Sequence, residues 1–288
     1  MKKPIKIAAI GGSGFYDWDR LAQTREARVK TPFGPHSGPV LVGELGGVPI
    51  AFLPRHCRGH RLLPAEVNSR ANIYALKTLG VERIIGFGAV GSLKEELSPR
   101  HFFFPDQVVD ETKARRGTFF GDGIVAHVAF AQPFCKDQTE VLYEETKRLG
   151  IAALKGGVYA CMEGPLFSTL AESEYHRRLG YSIIGMTVMP EAKLAREAEI
   201  CYTSVAMITD YDCWKPGEEV STSMVVENLS ANNGNARRLL EAAVPRLAAL
   251  PRRCPCGRAL EGAIFTDPAF IDKKTAAKLK AIIGKHLK

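Results

Sequence analysis

The stretch CYTSVAMITDYDCW, residues 201–214, decides how this chain is read. Its first part is an apolar run with the look of a buried strand. The run ends in Asp210 and Asp212, two carboxylates one residue apart, beside the rings of Tyr211 and Trp214. Ionised carboxylates against a dry core cost free energy unless something pairs with them. The pair is therefore either a solvated turn or a site that awaits a ligand able to donate hydrogen bonds.

Outward from this stretch, short runs rich in Ile and Val recur. They are IKIAAI (5–10), PVLVGEL (39–45), VPIAFLP (48–54), RIIGFG (83–88), DQVVD (106–110), GGVYACM (156–162) and SIIGM (182–186). Amphipathic segments alternate with them, which is the pattern of an α/β protein. Helices are expected over 64–79, 136–149, 169–179, 190–199, 223–247 and 267–283. Three of these starts carry physical signals: a capping box of Thr169 with Glu172, Pro190 at a first helical position, and Asp267–Pro268 as cap and first turn. No repeat or linker interrupts the 288 residues, so one domain is expected over 1–288, with a core at about 5–245 and a helical tail at 246–288.

The formal net charge is +8, but the basic residues are interspersed with acids and form no block with interleaved aromatics. That argues against nucleic acid and suits an anionic small substrate. No apolar run reaches the ~18 residues a membrane span needs. The opening MKKPIKIAAIGGSG is too short in its apolar part for a signal peptide, so it reads as a first strand of a cytoplasmic protein. Seven cysteines, an odd and scattered set, fit a reducing compartment. Cys254 and Cys256 in RRCPCGR read as a turn carrying two thiols. A disulfide between them is the alternative in a heat-adapted source. A metal there would need two more soft ligands nearby, and the sequence shows none, so no metal is expected.

Chemistry is expected in the loops after the strands. AAIGGSGFYD (8–17) fails as a dinucleotide fingerprint because Asp17 stands where a third glycine is needed. No Gly-Lys-Ser/Thr follows, so it is not a Walker loop either. It remains a glycine turn able to offer backbone N–H groups and Ser13 to an oxyanion. LPRHCRGHRLLP (53–64) packs Arg55, His56, Arg58, His60 and Arg61 together, a composition suited to phosphate. A zinc-protease reading fails because Cys57 replaces the required Glu. In GFGAVGSLKEEL (86–97) small residues let a ligand approach the backbone. CMEGPLFSTLAE (161–172) and IIGMTVMPEAKLA (183–195) each pass from strand through a turn to a helix. Phe167 is placed there as a stacking wall, and Thr187 as a hydroxyl near a helix N-terminus.

Taken in order, IGGSGFYD, PRHCRGH, GAVGSL, YACMEGPLFSTLAE, GMTVMPEAKLAREAEICY and TDYDCW closely resemble the 5′-methylthioadenosine phosphorylases. These form part of the trimeric branch of the purine nucleoside phosphorylase superfamily. The resemblance runs from about residue 5 to about residue 245. It implies a mixed, partly barrel-like sheet flanked by helices, and phosphate-dependent cleavage of an N-glycosidic bond to give adenine and 5-methylthioribose 1-phosphate. Phosphate is then a co-substrate and no cofactor is required. The resemblance assigns phosphate to Ser13, Arg55, His56 and Thr187, with backbone N–H groups of Gly88 and Ala89. It sets Met186 beneath the ribose, Phe167 against the base, and Asp210, Tyr211 and Asp212 at the purine. His127 corresponds to the residue that a neighbouring subunit brings to the methylthio end, where Thr222, Val225 and Val226 line the pocket. A homotrimer or hexamer with interfacial sites is implied.

Gly88 departs from the family, which often carries Thr or Ser there. A weaker hold on phosphate is expected, and Gly88→Ser is expected to lower KM for phosphate. Cleavage puts negative charge on the departing purine, which a protonated carboxyl can neutralise as general acid. Asp210, desolvated and next to Asp212, is the expected donor, with Asp212 and His56 as further catalytic candidates. The same carboxylates suit the exocyclic amine of a 6-aminopurine. In the branch that cleaves inosine and guanosine the equivalent motifs read F-E-T and T-N, whereas here Ser168 and Asp210 occupy those places. The competing readings are a methylthioinosine phosphorylase, a broad purine nucleoside phosphorylase, or a nucleoside-binding protein without catalysis.

Overall fold

A computed structural model describes residues 4–12, 18, 21–218 and 221–287, with nothing described of the Thr222 side chain. The parallel centre of the sheet is β1 (Ile7–Gly11), β4 (Val48–Pro54), β5 (Arg83–Ser92) and β11 (Cys201–Asp210). Within these strands neighbouring residues face opposite ways. Ile7 and Ala9 join one apolar core, while Ala8 and Ile10 join the other. Ile84 and Ile85 divide likewise, as do Ala206 and Met207. Burial on both faces is why these strands read as continuous apolar runs. One core is closed by α1 (Ser69–Thr78), α4 (Val188–Glu197) and the C-terminal segment. The other is closed by α2 (Lys136–Arg148) and the 28-residue α5 (Thr222–Ala249).

β5 is the branch point. Its first half pairs with β1, its last residues pair antiparallel with β10 (Ile183–Gly185), and its whole length pairs with β11. From β11 the sheet continues to β6 (Phe102–Phe104) and β8 (Ala153–Lys155), and from β10 to β9 (Val158–Cys161) and β7 (Gln107–Asp110). Two residues separate β6 from β7, and two separate β8 from β9, so the two arms curl toward each other. The second bend is Gly156–Gly157, both at positive φ. A Cβ on Gly157 would lie 2.3 Å from Ser182 Oγ, so the bend needs glycine. The opposite edge is antiparallel, formed by β3 (Val40–Leu45) and β2 (Ala22–Ala27).

The capping box at Thr169 and Glu172 starts α3 (Leu170–Arg178) as expected. Regular helix in α4 begins after Met189, whose backbone is extended, in agreement with Pro190 as an early helical residue. The segment 267–283 is not one helix. Asp267 caps only a short 3-10 turn, and Asp272 then caps α6 (Lys273–Lys278), followed by α7 (Lys280–Ile283). Likewise 64–79 begins as a 3-10 turn, and Asn68 caps α1 after it. In both segments a polar residue with a side-chain bond to the following backbone offers a competing cap and restarts the helix. β2, β6 and β8 were not anticipated. β2 is exposed almost throughout, and the other two span only three residues each.

The expectation about Cys254 and Cys256 needs correction. Folding brings them to Cys135 and Cys201, with all four sulfurs within 4.8 Å of one another. The two further soft ligands were present in the chain, 53 and 119 residues before Cys254, and only the tertiary fold shows them.

Candidate active site

The C-terminal ends of β1, β4, β5 and β11 open into a cavity of about 300 Å³. One wall follows β4. Arg55 is buried there, and its Nε and Nη2 donate to the two carboxylate oxygens of Glu191 at 2.6 and 3.1 Å, while Nη1 donates to Phe87 O at 2.7 Å. Of its five N–H groups, two remain for a ligand. Burial alone would weaken its charge, but the Glu191 carboxylate more than offsets this, so the guanidinium stays protonated throughout.

Beyond it the chain turns through left-handed residues at Cys57, Gly59 and His60, which stacks the His56 and His60 rings 4.3 Å apart. His56 Nδ1–H donates to Leu62 O at 2.9 Å. A carbonyl only accepts, so the proton is on Nδ1 and Nε2 is an acceptor while the ring is neutral. Burial, helped by the neighbouring Arg55 charge, pulls the His56 pKa down to about 4. The ring is thus neutral at ordinary pH. Thr187, at the N-terminus of α4, faces this wall, and so do Gly88 and Ala89 of β5.

Asp210 and Asp212 form the opposite wall. Asp210 Oδ1 accepts from the Asp212 N–H at 2.8 Å, and Oδ2 accepts from Thr209 Oγ1 at 2.7 Å. The i to i+2 bond is an Asx turn, and it holds Asp212 at a φ of +53°. This turn explains the one-residue spacing of the two acids. Gly91 makes room for it: a Cβ there would stand 2.9 Å from Asp210 Oδ1. Both carboxyls are buried, and both pKa values are raised, chiefly by desolvation. Asp212 adds to the rise at Asp210 by like-charge repulsion, and the bonds from Thr209 and Asp212 N–H oppose it. Asp212 Oδ2 closes no hydrogen bond of normal geometry, nor do the buried hydroxyls of Ser168 and Ser173. Those hydroxyls still lie near enough to restrain the rise at Asp212.

Met186 is half-buried on the floor, pressed by Gly164, where a Cβ would meet its Sδ at 2.4 Å. Phe167 is 56% exposed at the mouth, and Val225 and Ser168 complete the rim. Three expected residues lie away from this cavity. Tyr211 turns the other way and donates to Ser98 Oγ at 2.8 Å, with Trp214 edge-on to its ring. A contact between its phenol and a ligand is therefore corrected. Val226 is exposed and faces outward from the rim that Val225 lines. His127 lies elsewhere, with its ring edge-on to the exposed Phe265 at 4.9 Å. Ser13 lies outside the described residues, as does the side chain of Thr222.

Several supporting residues escaped the sequence reading. Glu191 fixes Arg55 and also accepts from Tyr202 O–H at 2.9 Å. Asn228 and Asn232, one helical turn apart on α5, donate to Thr209 O and Ile208 O and so clamp the end of β11. Asn233 lines the cavity. Arg115 donates to the carbonyls of Met186, Met189 and Glu163, tying two loops of the site together. The i, i+4 asparagines were the only one of these signals visible in the sequence. The Gly88→Ser expectation meets a steric obstacle. A Cβ at Gly88 would lie 2.5 Å from Thr187 Oγ1, so a side chain there presses on the hydroxyl already present.

A buried basic wall and an acidic wall with raised pKa values thus face each other across one small cavity at the strand ends. The family model of the phosphorylase superfamily matches residues 6–245. The chain is 52% identical over 284 residues to S-methyl-5'-thioadenosine phosphorylase of Koribacter versatilis, covering 98% of this chain and 96% of that one. It is 50% identical to the corresponding enzyme of Geobacter sulfurreducens, covering 98% and 99%. Among solved structures, a methylthioadenosine phosphorylase from an Antarctic soil metagenomic library matches with a TM-score of 0.94 at 46% identity, covering 98% of this chain and 99% of that one. The Schistosoma mansoni methylthioadenosine phosphorylase in complex with adenine matches with 0.82 at 33%, covering 97% and 98%. This chain belongs to the phosphorylase superfamily, in the family of the methylthioadenosine phosphorylases.

Proposed function

We propose that this protein is a 5′-methylthioadenosine phosphorylase that uses phosphate to release adenine and 5-methylthioribose 1-phosphate, serving purine and methionine salvage. The observation that carries this reading is the single cavity lined by Arg55, His56 and Thr187 on one side and by Asp210 and Asp212 on the other. Phosphate binds at the first wall. It takes the two free N–H groups of Arg55, the Thr187 hydroxyl, and the α4 N-terminus, where backbone N–H groups favour anions. Ser13 completes the phosphate set. Neutral His56 accepts a hydrogen bond from a phosphate hydroxyl on Nε2, which orients the attacking oxygen beside the sugar. The ribose lies over Met186 and the purine beneath Phe167.

As the bond between C1′ and N9 lengthens, positive charge grows on the sugar next to phosphate and negative charge grows on the base. Asp210, whose hold on its proton is strengthened by burial, gives that proton to the imidazole-ring nitrogen of the purine. A phosphate oxygen then closes on C1′. Asp212 Oδ2, which closes no hydrogen bond of normal geometry, accepts from the exocyclic amine, so a 6-aminopurine fills a valence that a 6-oxopurine would oppose. Ser168, smaller than the Glu of the inosine-cleaving branch, supports the same preference.

The active unit is a cytoplasmic homotrimer, or a hexamer built from two, and each chain acts as one catalytic domain. His127 then serves the cavity of a neighbouring chain. Its distance from the cavity of its own chain, and the exposed Val125 and Phe265 around it, support that role. No cofactor or metal takes part at the cavity.

The test is the initial rate of base release from methylthioadenosine, adenosine, methylthioinosine and inosine, each with and without phosphate. Adenine release that depends on phosphate, and is fastest with methylthioadenosine, is the expected result. Equal rates on methylthioinosine, or no phosphate dependence, would reject the assignment.

A further inference from the structure

The four thiols brought together at the far end of β11 belong to no part of this chemistry. We propose that Cys135, Cys201, Cys254 and Cys256 form a tetrathiolate site for one structural zinc ion. Cys135 precedes α2, Cys201 opens β11, and Cys254 and Cys256 flank Pro255 in the C-terminal segment. Three separate stretches of chain therefore meet there. A zinc–sulfur bond of about 2.3 Å at tetrahedral angles sets the sulfurs about 3.8 Å apart. The sulfurs of Cys201 and Cys254 are 3.3 Å apart, and all four lie within 4.8 Å, a spread that brackets this edge. All seven cysteines are free, and the four in the cluster form a closed group instead of two bonded pairs.

The surroundings fit an anionic centre. Four thiols binding a divalent cation release four protons to solvent and leave a net charge of −2 on the cluster. Arg252 reaches toward the Cys201 sulfur, donates through Nη2 to Glu199 O, and keeps a buried Nε without a partner. Arg253 and Arg258 line the shallow depression that exposes one side of Cys254, which gives a metal a route in. The N-terminus of the 13-residue α2 carries Cys135, and a helix N-terminus favours a thiolate. Four sulfurs in tetrahedral array select zinc over the harder cations, and iron would announce itself by colour.

The role follows from the connections. Residues 254–256 anchor the C-terminal segment, which then pairs Ile264 with Ala126 and holds His127 N–H on Ala263 O. The same segment returns to the body through Lys285 on buried Glu199. The ion would hold this segment against the core and contact nothing in the cavity.

The experiment measures metal content of the full-length protein purified with reductant and reconstituted with zinc, followed by cobalt exchange. About one equivalent of zinc per chain is expected, with strong visible absorption of tetrahedral cobalt thiolate after exchange. The double variant C254S/C256S should retain less than about a tenth of the metal and unfold roughly 5–10 °C lower, with kcat on methylthioadenosine unchanged. If that variant fails to fold, the zinc content and cobalt spectrum of the native chain still decide the matter. Absence of stoichiometric metal after reconstitution would overturn the proposal. So would disulfides within the cluster in non-reduced peptides from protein purified with reductant.

Discussion

The two ends of β11 make an instructive contrast. One end carries the buried thiol of Cys201, and the other carries carboxyls at Asp210 and Asp212, which a hydrophobic core does not tolerate alone. At the Cys201 end four sulfurs face one another in a packed group. At the Asp210 end the carboxyls face a cavity, and one oxygen, Asp212 Oδ2, closes no hydrogen bond of normal geometry. Closed groups of this kind hold chains together, whereas open ones wait for a ligand. The unfilled valence distinguishes the two uses of one strand.

The largest effect that would test this contrast is on Asp210. D210N keeps the shape and removes the transferable proton, so kcat for methylthioadenosine should fall ~10²–10⁴-fold, as for loss of a general acid. Thermal unfolding should stay near that of the native protein. A variant that keeps full turnover would move the acid elsewhere. The pH profile tests the same group without mutation. Burial raises the Asp210 and Asp212 pKa values, so the proton is held below the raised value and lost above it. kcat/KM should therefore fall on the alkaline side, by about tenfold per pH unit in the limit. His56, pulled down to about 4, should contribute no break between pH 5 and 8. An alkaline limb that survives unchanged in D210N would contradict this.

Next in size is Glu191. E191Q leaves the Arg55 charge buried without its counter-ion, and breaking such a pair costs about 3–5 kcal/mol. Chemical denaturation should show that loss, together with a raised KM for phosphate. A stability equal to the native protein would mean Arg55 is solvated in solution. A smaller effect is expected at the clamp. N232A removes the donor to Ile208 O and should cost about 1–3 kcal/mol, with kcat lowered more than KM. The smallest change is G88S. Its Cβ meets Thr187 Oγ1, so KM for phosphate should rise a few-fold, where a simple added donor would lower it.

Most of the sheet was legible because strands buried on both faces must be apolar at every position, and such runs stand out. β6 and β8 were not, since three residues carry no period, and β2 was not, since its exposure leaves no apolar signal. The cavity residues were legible as motifs because Asp210 and Asp212 lie in a local turn whose geometry a short sequence specifies. Glu191 and Cys135 were not. Each is an ordinary residue whose meaning depends on a partner more than sixty positions away, Arg55 in one case and Cys201 in the other. Tyr211 misled for a related reason: residues on either side of a strand end face opposite ways, so neighbours of a functional acid need not share its site.

β11 has ten residues, paired along its length with β5 and fastened at both extremities. Insertion or deletion of a single residue between 202 and 209 would turn inward side chains outward and pull one extremity out of place. Evolution can therefore vary the side chains of this strand but not its length. Any relative that keeps both Cys201 and Asp210 should keep eight residues between them, a rule that sequence alignment alone can break.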